Sequence, residues 1–255
     1  MHKYIHDLRV VNKKRINPDY YILELTYSDT LPDMFPGQFV EIKVENAPNT
    51  FLRRPISIYD VDYDNNILKL LIQIVGEGTN ILSYVEPYDY VNLVYPLGNS
   101  FSMPENNRIL LVGGGCGMAP LLYTAHYFSD FGYTPSILIG AKNNLGIIEP
   151  EEFEKHGELH ICTEDGSDGT EGYVTQHKLF ESPELFDKVY VCGPEPMMKA
   201  VAKWTVKHNI HCEVSLENLM ACGIGACLCC VQETVHGNLC VCTEGPVFNV
   251  KDLLW

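Results

Sequence analysis

Between Arg108 and Phe128 the chain reads RILLVGGGCGMAPLLYTAHYF. A short apolar run ends in a glycine turn, and a helical apolar pattern follows it. The same succession recurs: PSILIG occupies 135–140, and KVYVCGPEPMMKAVAKWTVKHN closes the unit at 188–209. Strand, turn and helix in alternation predict a parallel sheet covered by helices. Toward the N-terminus the texture changes. YYILELTY at 20–27, QFVEIKVE at 38–45, ILKLLIQIV at 67–75 and YVNLVYPL at 90–97 read as strands, separated by turn material such as APNT and DYDNN. Many strands with one short helix predict an antiparallel barrel. Toward the C-terminus, MACGIGACLCCVQETVHGNLCVC at 220–242 is too short to hold a core and is expected to be organised by what it binds. The fold class is therefore β plus α/β: a barrel over 1–103, a parallel-sheet domain over 104–212 and a small cysteine domain over 213–255.

Composition narrows the function classes. A net charge of -15 with no basic stripe argues against nucleic acid as a partner. No run is long and apolar enough to span a bilayer, and MHKYIHDLRV is charged where a secretory signal would be apolar. A cytoplasmic, non-membrane protein is expected. In that compartment clustered cysteines point to metal binding or catalysis rather than disulfides. Of the scattered thiols, Cys116, Cys162, Cys192 and Cys212, the second and fourth read as inert core residues.

Within the barrel region, LRRPISIYD offers Arg53 or Arg54 as a planar cation for a phosphate or a conjugated ring, with Ser57 two residues beyond Pro55 on the same strand face. VGEGTNILSYV supplies an anion-binding counterpart, in which Gly76 and Gly78 allow a tight turn and Thr79 is expected to N-cap a helix. In the second region the glycine turn departs from the strict dinucleotide fingerprint. Gly113 and Gly115 fit, but Met118 holds the third glycine position, and Lys142 stands where an acidic residue should end the next strand. Gly113, Gly114, Gly115 and Gly117 still permit close backbone approach to a pyrophosphate. Cys192, Gly193 and Pro194 lie at the carboxyl edge of the sheet, where ligands of open α/β sheets bind, and Pro196 opens a helix. The loop at Asp165, Gly166 and Ser167 could touch a nucleotide, but reads better as a solvated turn.

Cys222-x4-Cys227-x2-Cys230, with a fourth cysteine further on, has plant-type [2Fe–2S] spacing. Gly223, Gly225 and Ala226 let the loop wrap a cluster and offer it N–H groups. A closed four-cysteine zinc site is the alternative, but zinc knuckles space their pairs more symmetrically.

These motifs are ordered as in a known family. PGQFV at 36–40, RPIS at 54–57, GEGT at 76–79, YPLGNSF at 95–101, VGGGCGMAPL at 112–121, CGPEPMM at 192–198, MACGIGAC at 220–227 and CTEGPVF at 242–248 span the chain. It resembles the electron-transfer subunits of type B dihydroorotate dehydrogenase, in the ferredoxin-NADP reductase superfamily. The resemblance implies FAD on the barrel, NAD on the α/β domain and [2Fe–2S] on the cysteine segment. It also implies that Arg54, Pro55, Ile56 and Ser57 flank the flavin, that backbone at Leu71, Ile72 and Gln73 lines it, and that Gly78 and Thr79 hold its pyrophosphate. Cys242, three residues before Gly-Pro-Val-Phe, becomes the fourth ligand beside Cys222, Cys227 and Cys230, which leaves Cys229 and Cys240 without a ligand role.

Nicotinamide moves electrons as a pair and a cluster moves them singly, so a flavin joins the two. FAD alone could reduce NAD, so the cluster implies a second protein. By resemblance this is an FMN-containing dihydroorotate dehydrogenase subunit, in a heterotetramer with two copies of each chain, and the soluble substrate is NAD. No acid–base catalytic residue is expected. The rivals are a ferredoxin- or hydrogenase-type NAD(P)H oxidoreductase subunit of the same fold, and a zinc-stabilised interaction protein.

Overall fold

The computed structural model describes residues 2–45 and 47–255. Six strands close the barrel: β1 (Tyr4–Arg15), β2 (Tyr20–Thr26), β3 (Phe39–Ile42), β4 (Arg54–Asp62), β5 (Ile67–Gln73) and β6 (Tyr90–Leu97). Their order around it is β1-β2-β5-β4-β3-β6, antiparallel throughout, and the short helix α1 (Glu77–Leu82) leaves from the end of β5. Strand alternation explains the apolar runs. In β2, Tyr21, Leu23 and Leu25 fill the barrel while Tyr20 and Ile22 pack outward against the second domain, so both faces are apolar. β1 escaped the sequence reading because only Leu8 and Val10 of its twelve residues are buried.

The second domain contains β7 (Ile109–Gly114), α2 (Met118–Asp130), β8 (Ser136–Ala141), α3 (Pro150–Glu154), β9 (Glu158–Thr163), β10 (Thr170–Glu171), β11 (Lys188–Cys192), α4 (Glu195–Lys207) and β12 (His211–Ser215). Its sheet runs β10-β9-β8-β7-β11-β12 in parallel. Alternate residues feed two cores. Ile109, Leu111, Ile137, Ile139 and Tyr190 cluster with α2, whereas Leu110, Val112, Leu138, Val189 and Val191 cluster with α4.

The cysteine segment forms the hairpin of β13 (Val231–Thr234) and β14 (Gly237–Cys240) and then returns to the sheet. β15 (Val247–Asn249) adds to β12 as an antiparallel edge, with Ser215 opposite Val247. The division drawn at residue 213 thus falls inside β12, and the tail completes the second domain's sheet. The segment also shares a core with that domain, for Cys230, Val241, Cys242 and Phe248 join the cluster of Val189 and Val214. Among the described residues no helix is long and apolar enough to cross a membrane.

Candidate functional site

Arg54 to Ser57 open β4, Leu71 to Gln73 end the adjacent β5, and Gly78 and Thr79 sit in the first turn of α1. The sequence left two arginines open, and the structure separates them. Arg53 Nη1 donates to the backbone oxygens of Glu41 (3.1 Å) and Asn92 (3.0 Å), stitching β3 to β6. Arg54 instead crosses to α1, where a Cβ added at Gly78 would stand 2.6 Å from its Nε. Glycine is thus required there for the guanidinium to lie against the helix. Thr79 does not N-cap α1. Gly76 does, and the Thr79 hydroxyl reaches back to accept from Val75 N (3.0 Å) and Gly76 N (3.3 Å). A side chain at the third helical position can take that part in a capping box, so the polar residue in GEGT sits three places past the cap. Tyr21 holds the same turn by donating to the Thr79 oxygen at 3.0 Å. The planar cation, the half-buried Ser57 and the glycine-lined turn fit a flavin nucleotide.

The glycines after β7 divide by use. A Cβ at Gly117 would lie 2.3 Å from the Cys192 and Gly193 backbone, and one at Gly114 would meet the Met197 sulfur at 2.6 Å. One at Gly113 would press on Ile139 and Leu121, at 3.0 and 3.1 Å. Gly114 and Gly117 allow the two βα turns to pack together, while Gly113 lets α2 and β8 lie close to β7. Gly115, at φ +56°, has open space before it and is the glycine whose backbone a ligand can approach. Gly193 (φ +150°) faces Gly114, so the Cys192-Gly193-Pro194 turn and the glycine turn form one wall at the carboxyl edge of the sheet. The Asp165 loop satisfies itself: Asp165 accepts from Ser167 N at 3.0 Å, and the Ser167 hydroxyl accepts from Asn144 N at 2.8 Å.

Beside that wall lies a group of polar side chains that sequence reasoning missed. Cys116 Sγ donates to Gln73 Oε1 at 3.1 Å, tying the glycine turn to the end of β5. Cys192 Sγ approaches Glu217 Oε1 at 3.8 Å. Burial, followed by the Glu217 charge, pushes the Cys116 thiol up to about 12 and Cys192 well above its ordinary value. Gln73, Cys116, Cys192 and Glu217 come from four segments, and no spacing in the sequence links them.

The loop carrying Cys222, Cys227 and Cys230 turns through Gly223 (φ +66°) and Gly225 (φ +79°). Backbone N–H groups point at sulfur: from the loop, Gly225 N donates to Cys242 Sγ (3.1 Å) and Ala226 N to Cys222 Sγ (3.3 Å), and beyond the hairpin Cys242 N donates to Cys230 Sγ (3.4 Å). The thiols stand in pairs, Cys222 with Cys227 and Cys242 with Cys230. Burial works against the Cys222 thiolate, but hydrogen bonds from the Ile224 and Cys227 N–H groups, the Cys227 thiol and the Ala226 N–H bring it down to about 6. Burial, then the Cys230 contact, pushes Cys242 up to about 12. Thiols under several N–H donors suit an iron–sulfur cluster, whose sulfur charge those donors would stabilise, although among the described residues no three of these side chains stand together as a ready metal site. Cys229 is exposed, and Cys240 faces Val231 in the hairpin. The barrel grips the segment through Asn99, whose side chain donates to the Glu244 (2.8 Å) and Val247 (2.9 Å) oxygens and accepts from Val247 N (2.9 Å).

Comparison with known proteins follows this division of the chain. Residues 217–254 match the model of the iron-sulfur cluster binding domain of dihydroorotate dehydrogenase B, and residues 111–203 match that of the oxidoreductase NAD-binding domain. The dihydroorotate dehydrogenase B (NAD(+)) electron transfer subunit of Fusobacterium nucleatum is 36% identical, with 98% of each chain covered. That of Caldanaerobacter subterraneus is 38% identical, with 97% of each covered. Among solved structures, an NADH-dependent reduced ferredoxin-NADP oxidoreductase superimposes with a TM-score of 0.85 at 27% identity, covering 97% of this chain and 90% of that one. The ferredoxin reductase of carbazole 1,9a-dioxygenase, at 19% identity and a TM-score of 0.70, shares the fold over 82% of this chain and 67% of that one.

Proposed function

Because the chain belongs to the family of dihydroorotate dehydrogenase B electron transfer subunits, we propose a division of labour among its residues. The activity itself is the transfer of electrons released from dihydroorotate to NAD+, within an oxidoreductase of pyrimidine biosynthesis that requires a catalytic partner subunit. When bound, FAD supplies the exchange between paired and single electrons, and the [2Fe–2S] cluster supplies single-electron passage.

The barrel residues hold and orient FAD. Arg54 would balance flavin or phosphate charge, Ser57 would offer its hydroxyl near the reactive edge of the ring, and Pro55, Ile56 and the backbone at Leu71, Ile72 and Gln73 would line the cofactor. Gly78 and Thr79 bring N–H groups to the pyrophosphate. The wall made by Gly113, Gly114, Gly115, Gly117, Cys192, Gly193 and Pro194 receives NAD, with Gly115 at the point of approach. Cys222, Cys227, Cys230 and Cys242 ligate the cluster, and the Gly225, Ala226 and Cys242 N–H groups stabilise charge on sulfur. No side chain here is assigned acid–base chemistry. Two copies of this chain and two of an FMN-containing partner make the assembly, and its place is the cytoplasm.

The observation that supports this reading is the set of backbone N–H groups donating to the Cys222, Cys230 and Cys242 sulfurs, on a segment held by both barrel and sheet. Anaerobically purified protein tests it by absorption and EPR: flavin and [2Fe–2S] signals are expected, and absence of both removes the electron-transfer reading. Reconstitution with the FMN subunit should then give dihydroorotate-dependent NAD+ reduction. A requirement for ferredoxin instead would favour the chemistry of the 27% identical oxidoreductase.

A further inference from the structure

Glu41 on β3 is fully buried, and neither of its carboxylate oxygens has a hydrogen-bond partner among the described residues. Its neighbours Val40 and Ile42 point into the barrel, so Phe39 and Glu41 point outward, where a carboxylate would ordinarily meet water. Here that outer face is covered by the cysteine loop. Phe39 packs into the core that contains Cys230 and Cys242, and a Cβ at Gly223 would lie 2.8 Å from Glu41 Cγ and 3.2 Å from Oε1. Gly223 directly follows Cys222. On the flavin side, Glu41 is paired in register with Pro55 of the RPIS arm, and its backbone oxygen accepts from Arg53. The carboxyl therefore lies between the cysteine loop and the strand assigned to FAD.

A buried polar group without a hydrogen-bond partner is costly, and the nearby Arg53 and Arg54 charges offset that cost only in part. What it can do from there is electrostatic. Reducing the cluster adds one negative charge to the loop, and a carboxylate against that loop opposes the addition, weakly screened because water is excluded. We propose that Glu41 is a positioning residue that sets the reduction potential of the iron–sulfur cluster, holding it low so that the reduced cluster passes its electron on readily. The inference rests on the cluster assignment made above.

The experiment uses the purified chain with FAD and cluster bound, titrated anaerobically at pH 9 with the reduced cluster followed by EPR. Glu41→Gln should keep both cofactor spectra and raise the midpoint potential by about 59 mV or more, a tenfold gain in the one-electron reduction constant. Glu41→Met removes the partnerless polar group altogether and is expected to fold at least as well. It should give the same rise, whereas Glu41→Asp, which keeps the charge, should stay close to wild type. Unshifted potentials in loaded Gln and Met variants overturn the proposal. Loss of the cluster from both, with FAD retained, also overturns it, because the carboxyl would then be holding the loop rather than setting its potential. Wild-type protein without any cluster signal refutes the functional reading itself, so the two failures are distinct.

Discussion

The buried Cys192 thiol, at the end of β11, lies 3.8 Å from the carboxylate of the exposed Glu217, just beyond β12. Burial and that neighbouring charge hold Cys192 as a thiol well above the ordinary range, and thiols react with alkylating agents as thiolates. At pH 8 the native protein should therefore alkylate at exposed Cys229 at least roughly tenfold faster than at Cys192. Timed labelling with peptide mass mapping measures the ratio. Equal rates would mean that the Cys192 side chain opens to solvent.

Cys240 and Cys242 are two residues apart but differ in setting. Cys242 is fully buried and accepts from Gly225 N, whereas Cys240 lies at the end of the hairpin. Cys242→Ser should abolish or strongly weaken the visible cluster bands, and Cys240→Ser should leave them unchanged. The reverse result would transfer the fourth ligand to Cys240.

Gly78→Ala places a methyl group 2.6 Å from the Arg54 guanidinium. Arginine is flexible and moves aside rather than unfolding the barrel, so the change should appear in cofactor affinity. The FAD dissociation constant should rise by about tenfold, roughly 1.4 kcal/mol, with little change in melting temperature. Recovery of quenched flavin fluorescence reads the constant.

Gly117→Ala has no such escape, because the added methyl meets backbone atoms of Cys192 and Gly193 at 2.3 Å. Overpacking of this kind costs about 1–3 kcal/mol, or more where backbone cannot shift. A fall in melting temperature is expected whether or not NAD is present, which separates a packing role from a binding role.

The barrel and the second domain meet through Asp60 on β4 and His126 on α2, 2.6 Å apart. The hydrogen bond to Asp60 raises His126 above 6.5. Burial would raise Asp60, but His126 and Lys69 outweigh it and hold the carboxyl below 3.8. Stability from His126 is thus complete below pH 6.5 and lost as pH rises through its raised value. That from Asp60 is complete above pH 3.8 and lost as pH falls through its lowered value. Between those limits the clamp is whole. His156, stacked on His126 and depressed by burial and by that neighbour, acts oppositely and loses stability on acidification. From pH 6 to pH 9 the wild type should lose about 1 kcal/mol relative to His126→Asn, about 2–4 °C in melting temperature. Parallel melting curves for the two proteins would remove the clamp.

The architecture was legible where one physical rule acted on neighbouring residues. Apolar runs and glycine turns marked the barrel and the sheet, and the cysteine spacing marked the cluster loop, because each depends on local order. β1 was invisible, since two buried residues in twelve leave no pattern. The division at 213 missed β15 because nothing in VFN announces a strand that pairs antiparallel with β12. Arg53 and Arg54 could not be told apart without Asn92 and Gly78, which lie far off in sequence. Nothing in QFVEIKVE marks Glu41 as buried, because the cysteine loop that covers it lies far off in sequence.

Because Ser215 and Val247 stand opposite each other in adjoining strands, the chain leaves the sheet and re-enters it at neighbouring points. Residues 216–246 are therefore a cassette whose two ends already touch. Such an insert can be removed with only a short splice of the backbone at the sheet edge, at the cost of the core contacts that Cys230, Val241 and Cys242 make. A flavin reductase without a cluster thus differs from this protein by one excursion of the chain, and a deletion variant joining 215 to 247 through a tight turn would test how much of the reductase survives on its own.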